Sequence, residues 1–109
     1  MKHMSGLLTD FYELTMMQGY FLSRKNPPVV FDMFYRNQPF DSGFAVFAGL
    51  QPLLEALSQL KFSEEDLDFL RQQGSFKEEF IRYLKDFRFR GDVYAMDEGS
   101  IVFPNEPLI

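Results

Sequence analysis

The sequence predicts a small α+β domain, a small sheet with packed helices, and three observations carry that expectation. Four stretches repeat apolar residues at helical spacing, several others run in the two-residue period or short apolar blocks of strands, and 109 residues suit one domain or a piece of a larger one.

Met1-Lys2-His3-Met4 sets a second methionine behind a histidine, as a cloning junction does, so residues 1–4 read as a leader and 5–109 as the domain segment. His3 is accordingly left out of the chemistry. Thr9 is the expected N-cap of a helix running to about Ser23, which must stop before Asn26-Pro27-Pro28 because the residue ahead of a proline avoids the αR conformation. On that helix Leu14, Met17 and Phe21 share one face, and Tyr12, Met16 and Tyr20 lie roughly opposite. An element apolar on two faces is expected to pack one on the domain's own sheet and to offer the other to a second domain or subunit.

Val29–Arg36 alternates and reads as a strand, with Val29, Phe31, Met33 and Tyr35 on one side. Asn37-Gln38-Pro39 and Asp41-Ser42-Gly43 mark a loop, Phe44–Ala48 a short apolar strand, and Leu50–Leu60 a helix that tolerates Pro52 in its first turn. Phe62, Ser63 and Leu67 fall at N′, N-cap and N4 of the next helix, a hydrophobic staple, with Asp66 completing a capping box. Ser75 with Glu78 suggests a second capping box, opening a helix whose stripe is Phe76, Phe80, Tyr83, Leu84 and Phe87. Phe87–Arg90 alternates strictly, Val93–Met96 continues extended, and Asp97-Glu98-Gly99 turns the chain into Ser100–Phe103, a hairpin-like end. Pro104-Asn105-Glu106-Pro107 normally leads to another element, so the end at Ile109 reads as an interruption.

Composition then narrows the function. Lys and Arg total 11 against 16 Asp and Glu, a formal charge of −5, which disfavours a nucleic-acid partner held by phosphate contacts. With no cysteine and one histidine there is no disulfide framework, no thiolate nucleophile and almost no metal chemistry. No apolar run approaches the ~20 residues that span a bilayer, so a soluble, cytoplasmic chain without a membrane partner is expected. Fourteen Phe and five Tyr make the chain 17% aromatic, more than so short a fold can cover, which favours self-association or a segment of a larger body.

No complete reaction centre is visible among the familiar glycine-rich, nucleophile-elbow or zinc-binding motifs. Glu64, Glu65, Asp66 and Asp68 are explained by the dipole of the helix they open. Arg36 ends an apolar strand before a polar turn, where its guanidinium suits either an anion such as phosphate or a surface ion pair. Tyr12, on the second face of the first helix, suits either stacking on a planar ring or interface packing. Asp10 answers the same helix's dipole and is close enough to Tyr12 to border one pocket. Arg88 and Arg90 alternate with Phe87 and Phe89, as an anion-binding stripe or a charge-protected edge would.

Three stretches in order, Leu8-Thr9-Asp10-Phe11-Tyr12-Glu13-Leu14-Thr15-Met16, then Phe31-Asp32-Met33-Phe34-Tyr35-Arg36 on to Phe47-Ala48-Gly49-Leu50, and Val93-Tyr94-Ala95-Met96-Asp97-Glu98-Gly99 on to Phe103-Pro104-Asn105-Glu106-Pro107, resemble the beginning of nicotinate phosphoribosyltransferase. The resemblance covers Ser5–Ile109 and implies the amino-terminal region alone, without the type II phosphoribosyltransferase α/β barrel. It implies a transferase of NAD salvage that makes nicotinate mononucleotide and pyrophosphate from nicotinate and phosphoribosyl pyrophosphate, a glycosyl transfer coupled, as in a ligase, to ATP hydrolysis. By the same resemblance Tyr12 stacks on the pyridine ring across a homodimer interface, Asp10 borders it, and Arg36 approaches a substrate phosphate from the neighbouring subunit. No catalytic residue and no bound cofactor are expected within these residues, ATP and Mg²⁺ being used by the parent enzyme. Gly49-Leu50 and Glu98-Gly99 match landmarks of the family but read as backbone geometry. Two rivals stand beside this reading: a non-enzymatic self-association module, and a nicotinamide-using relative that shares the Asp-x-Tyr pattern.

Overall fold

A computed structural model of the chain describes residues 4–109; His3 lies outside them. Among the described residues the fold is α+β, four helices and a two-stranded sheet, in the order α1 (Phe11–Leu22), a 3-10 turn (Pro39–Asp41), β1 (Ala45–Val46), α2 (Leu50–Gln59), α3 (Glu64–Gln73), α4 (Glu78–Lys85) and β2 (Ile101–Val102). The chain divides into two units. One holds the described residues up to Pro28 with Ala56–Phe89, and the other holds Val29–Glu55 with Arg90–Ile109.

The first unit is helical. Leu14, Phe62, Leu67, Leu70, Phe76, Phe80, Ile81 and Leu84 form its buried cluster, with Met17, Phe21 and Phe87 packed on them. Burying a Leu or Phe side chain of this kind contributes roughly 1.5–3 kcal/mol, which outweighs the weak intrinsic stability of helices this short. The α1 face of Leu14, Met17 and Phe21 is the buried one as expected, but it packs on helices rather than on a sheet: Phe21 lies 5.7 Å from Phe80 and 4.8 Å from Tyr83 between ring centroids. The reason is that the sheet belongs to the other unit. Gly6 donates its N–H to the Lys61 carbonyl at 2.9 Å and sits so close to the Phe62 ring that a Cβ there would meet it at 2.4 Å. Only glycine fits that approach.

Helix starts differ from expectation in two places. The N-cap of α1 is Asp10, not Thr9: Asp10 has extended φ/ψ, its N–H donates to Glu13 Oε2 at 3.2 Å, and the Thr9 hydroxyl is taken up by the same Glu13 carboxylate. Asp10 thus precedes the helix instead of lying within it, and the helix ends at Leu22 with Ser23 as C-cap. The N-cap of α4 is Lys77, not Ser75. Gln18 of α1 explains the shift, since its Oε1 accepts the Lys77 N–H at 2.7 Å while its Nε2 donates to the Ser75 carbonyl at 3.1 Å. A side chain from another helix takes the place of the local box. The box of α3 is as expected, with Ser63 Oγ accepting from the Asp66 N–H at 3.1 Å and Asp66 Oδ2 accepting from the Ser63 N–H at 2.8 Å.

The second unit holds the sheet, in which Ala45 pairs with Val102 and Val46 with Ile101, antiparallel. The expected hairpin of Val93–Met96 with Ser100–Phe103 is therefore replaced by pairing with the segment before α2. The expected strands at Val29–Arg36, Phe87–Arg90 and Val93–Met96 form no ladder, and that at Phe44–Ala48 shortens to two residues. Alternation makes a segment extended, but a strand also needs a partner in register. Val29–Arg36 finds only scattered bonds: the Met33 N–H to the Ile109 carbonyl, the Leu108 N–H to the Met33 carbonyl and the Asn105 N–H to the Tyr35 carbonyl, all 2.8–3.0 Å. Phe47, Val102 and Leu108 make the buried centre of this unit, with Tyr35, Leu50 and Met96 against them.

Candidate functional site

Asp10 and Tyr12 stand together at the opening of α1. The helix has its buried side filled by Leu14, which is 4% exposed, so the opposite stripe is turned outward, with Tyr12 60%, Met16 52% and Tyr20 53% exposed. Phe11 is held edge-on to Phe76 at 5.6 Å, and the Tyr12 carbonyl accepts the Thr15 hydroxyl at 2.8 Å. These contacts fix the first turn while leaving the Tyr12 ring presented to whatever approaches that face. Asp10 adds a carboxylate at the positive end of the α1 dipole.

Arg36 belongs to the other unit. It is exposed and, among the described residues, makes no ion pair or side-chain hydrogen bond, so its guanidinium keeps all five donors for an external anion. The residue before it is firmly tied. The Tyr35 hydroxyl donates to the Val102 carbonyl at 2.9 Å and accepts from Gln38 Nε2 at 3.1 Å, while the Tyr35 carbonyl accepts the Asn105 N–H at 2.8 Å. Beyond Gln38 the turn carries Phe40 at φ +57° and almost fully exposed. A bulky side chain in the left-handed region is strained backbone.

The two landmarks Gly49-Leu50 and Glu98-Gly99 meet in the second unit. Glu98 Oε1 accepts the Gly49 N–H at 2.7 Å and Oε2 the Leu50 N–H at 2.9 Å, capping α2 from a turn far along the chain. Gly49 itself has φ +103°, a conformation in which any side chain is strained, so the residue that opens α2 has no side chain with which to cap it. The sequence carries both ends of this contact but no local signal joining them.

Of the clustered acids of α3, Glu64, Asp66 and Asp68 have structural partners. Asp68 and Glu78 share Arg71 at 2.7 and 3.1 Å, and Glu64 pairs with Lys85 at 3.0 Å. Hydrogen bonds first, and charge attraction after, lift the Arg71 guanidinium above its ordinary value and hold the Glu78 carboxyl below its own. Among the described residues no group of three or more His, Cys, Asp or Glu is placed to hold a metal ion, and no helix is long and apolar enough to cross a membrane.

The comparison with known proteins turns on residues 7–109, which match the model of the nicotinate phosphoribosyltransferase (NAPRTase) N-terminal domain. The chain belongs to that family. It is 43% identical over 108 residues to nicotinate phosphoribosyltransferase pncB2 of Mycobacterium tuberculosis, covering 99% of this chain and 23% of that protein. It is 39% identical to the nicotinate phosphoribosyltransferases of Caenorhabditis elegans and Bacillus subtilis, covering 98% and 95% of this chain and 21% of each of those proteins. The NAPRTase N-terminal domain described here thus spans about a fifth of the length of these relatives. Its three exposed candidates, Asp10, Tyr12 and Arg36, all lie within the matched residues.

Proposed function

We propose that the chain is the amino-terminal segment of a cytoplasmic enzyme that joins nicotinate to phosphoribosyl pyrophosphate, giving nicotinate mononucleotide and pyrophosphate in NAD salvage. The outward stripe of α1, led by the exposed Tyr12 ring, is the observation that carries this reading beyond family membership. Tyr12 stacks on the pyridine ring, in an active site shared across a homodimer. In the displacement, the pyridine nitrogen uses its lone pair to bond the anomeric carbon as the carbon–oxygen bond to pyrophosphate breaks. Holding a flat, weak nucleophile in line is then most of the catalytic task. Asp10 borders the ring, where its charge favours the positive charge that grows on the pyridine nitrogen. Arg36 binds a phosphate oxygen of the phosphoribosyl donor.

The segment is inactive alone on this reading, and its charge supports that. Residues 29–55 and 90–109 carry seven carboxylates against two cations, Arg36 and Arg90, so a polyanion brought to Arg36 meets net repulsion until cations from the rest of the enzyme offset it. ATP coupling and Mg²⁺ belong to that remainder on the same reading.

The test is Tyr12→Ala in the longer enzyme. Stacking of a base on an aromatic side chain is lost with the ring, so the KM for nicotinate should rise about ten- to a hundredfold, with Tyr12→Phe close to the parent. An unchanged KM for Tyr12→Ala removes the ring from the site.

A further inference from the structure

Among the described residues Arg36 is a cation without an ion-pair or side-chain hydrogen-bond partner, and the carbonyl and the hydroxyl of its predecessor, Tyr35, are both engaged. The main chain of Tyr35 is held by Asn105, itself at φ +65°. Its hydroxyl is a junction: it donates to the Val102 carbonyl of β2 and receives Gln38 Nε2 from the turn on the far side of Arg36. The ring packs on the small buried centre of Phe47, Val102 and Leu108. The segment Tyr35–Gln38 is thereby closed into a short loop pinned at both ends to one atom, with Arg36 and Asn37 between the pins.

A guanidinium carries five donors in a rigid fork, and its match to a phosphate depends on where the backbone aims it. A long flexible arm on an unpinned coil loses conformational entropy each time it binds, whereas an arm on a tethered base loses less. We infer that Tyr35 is a positioning residue for Arg36, its hydroxyl setting the aim of the guanidinium toward the phosphates of the phosphoribosyl donor. This rests on the reading of Arg36 given above. The Tyr35 hydroxyl touches no substrate and acts only through its neighbour.

The experiment is a double-mutant cycle in the longer enzyme with Tyr35→Phe, Arg36→Ala and the pair, measuring KM for phosphoribosyl pyrophosphate and for nicotinate separately. Tyr35→Phe keeps the ring and its packing and removes only the junction oxygen. Losing the two bonds of that oxygen should raise the KM for phosphoribosyl pyrophosphate about three- to tenfold, leave that for nicotinate unchanged, and add nothing in the Arg36→Ala background. If Arg36→Ala raises the phosphoribosyl pyrophosphate KM and Tyr35→Phe does not, the positioning role is wrong and the Arg36 reading stands. Equal changes for both substrates, or effects that add in the pair, would mark Tyr35 as merely structural and overturn the inference. No change on Arg36→Ala would reject the phosphate role itself, and the positioning role with it.

Discussion

Gly49 can turn the chain into α2 because it has no side chain, and for the same reason it cannot accept the first amides of the helix it opens. Glu98 supplies that acceptor with both carboxylate oxygens, at 2.7 and 2.9 Å, so one residue closes the helix and ties it to the turn before β2. Bonds from amides to an ionised acceptor are the stronger kind, although solvent reaches this carboxylate and reduces their worth. Replacing Glu98 by Ala should lower stability by about 1 kcal/mol, the ordinary cost of an absent N-cap, measured by denaturant unfolding. Glu98→Gln should recover part of it, since the amide oxygen still accepts one bond. A Glu98→Ala protein as stable as the parent would mean that water caps α2 equally well.

At the scale of elements, the junction of α3 and α4 combines a cap with an ion pair. Glu78 is the first residue of α4 and Arg71 lies in the last turn of α3, so their bond closes the connection from outside while Phe76 fills it from within. The Arg71 hydrogen bond holds the folded Glu78 carboxyl below its unfolded value. The stabilisation is therefore complete above the ordinary carboxylate range and is lost as pH falls through the depressed folded value. Urea unfolding from pH 6 downward should show a smaller acid loss in Glu78→Gln than in the parent, and 0.5 M salt should shrink the difference. An identical pH profile in the two proteins would remove the pair from the stability of the fold.

The elements also show what a sequence can and cannot reveal. Ser63 and Asp66 cap α3 as their spacing implies, because both partners lie within one turn. Ser75 and Glu78 have the same spacing and form no box: Arg71 takes the Glu78 carboxylate, while Gln18, remote in sequence, holds the Ser75 carbonyl and the Lys77 amide where the helix starts. The two faces of α1 were legible for a related reason: periodicity reports which side is apolar, though not that helices rather than a sheet would cover it. Val29–Arg36 and Val93–Met96 alternate as strands do, yet a ladder depends on a partner that alternation does not name. Of the candidate site, periodicity placed Tyr12 on the second face of α1, and that face is exposed. The pinning of Arg36 through Tyr35 was not legible, since its partners Val102 and Asn105 come from the far end of the chain.

On the scale of the whole molecule, the two units hold very different amounts of buried apolar surface. Eight residues form the helical cluster, among them Leu67, Leu70, Phe80, Ile81 and Leu84 with almost no exposure, whereas Phe47, Val102 and Leu108 are the buried centre of the other unit. Apolar burial is the main term opposing chain entropy, and the second unit adds to it a two-residue ladder, the first part of α2 with its Glu98 cap, the Tyr35 hydroxyl bonds and isolated backbone bonds. Local opening free energies follow such differences. Native-state hydrogen exchange of the 109-residue chain should therefore find the amides of Phe47, Met96 and Leu108 exchanging by a low-energy opening, at denaturant concentrations where those of Leu67, Phe80 and Ile81 remain protected. Each of these amides is hydrogen-bonded, so bonding alone does not predict the contrast. Equal protection in the two sets would mean that the units open as one, and burial within each would not be what decides their stability. The expected order also bears on the proposed function: Arg36 and its Tyr35 anchor sit in the unit expected to open first, so if Arg36 binds a polyanion in the longer enzyme as proposed, the ligand should protect the Phe47, Met96 and Leu108 amides more than those of the helical cluster.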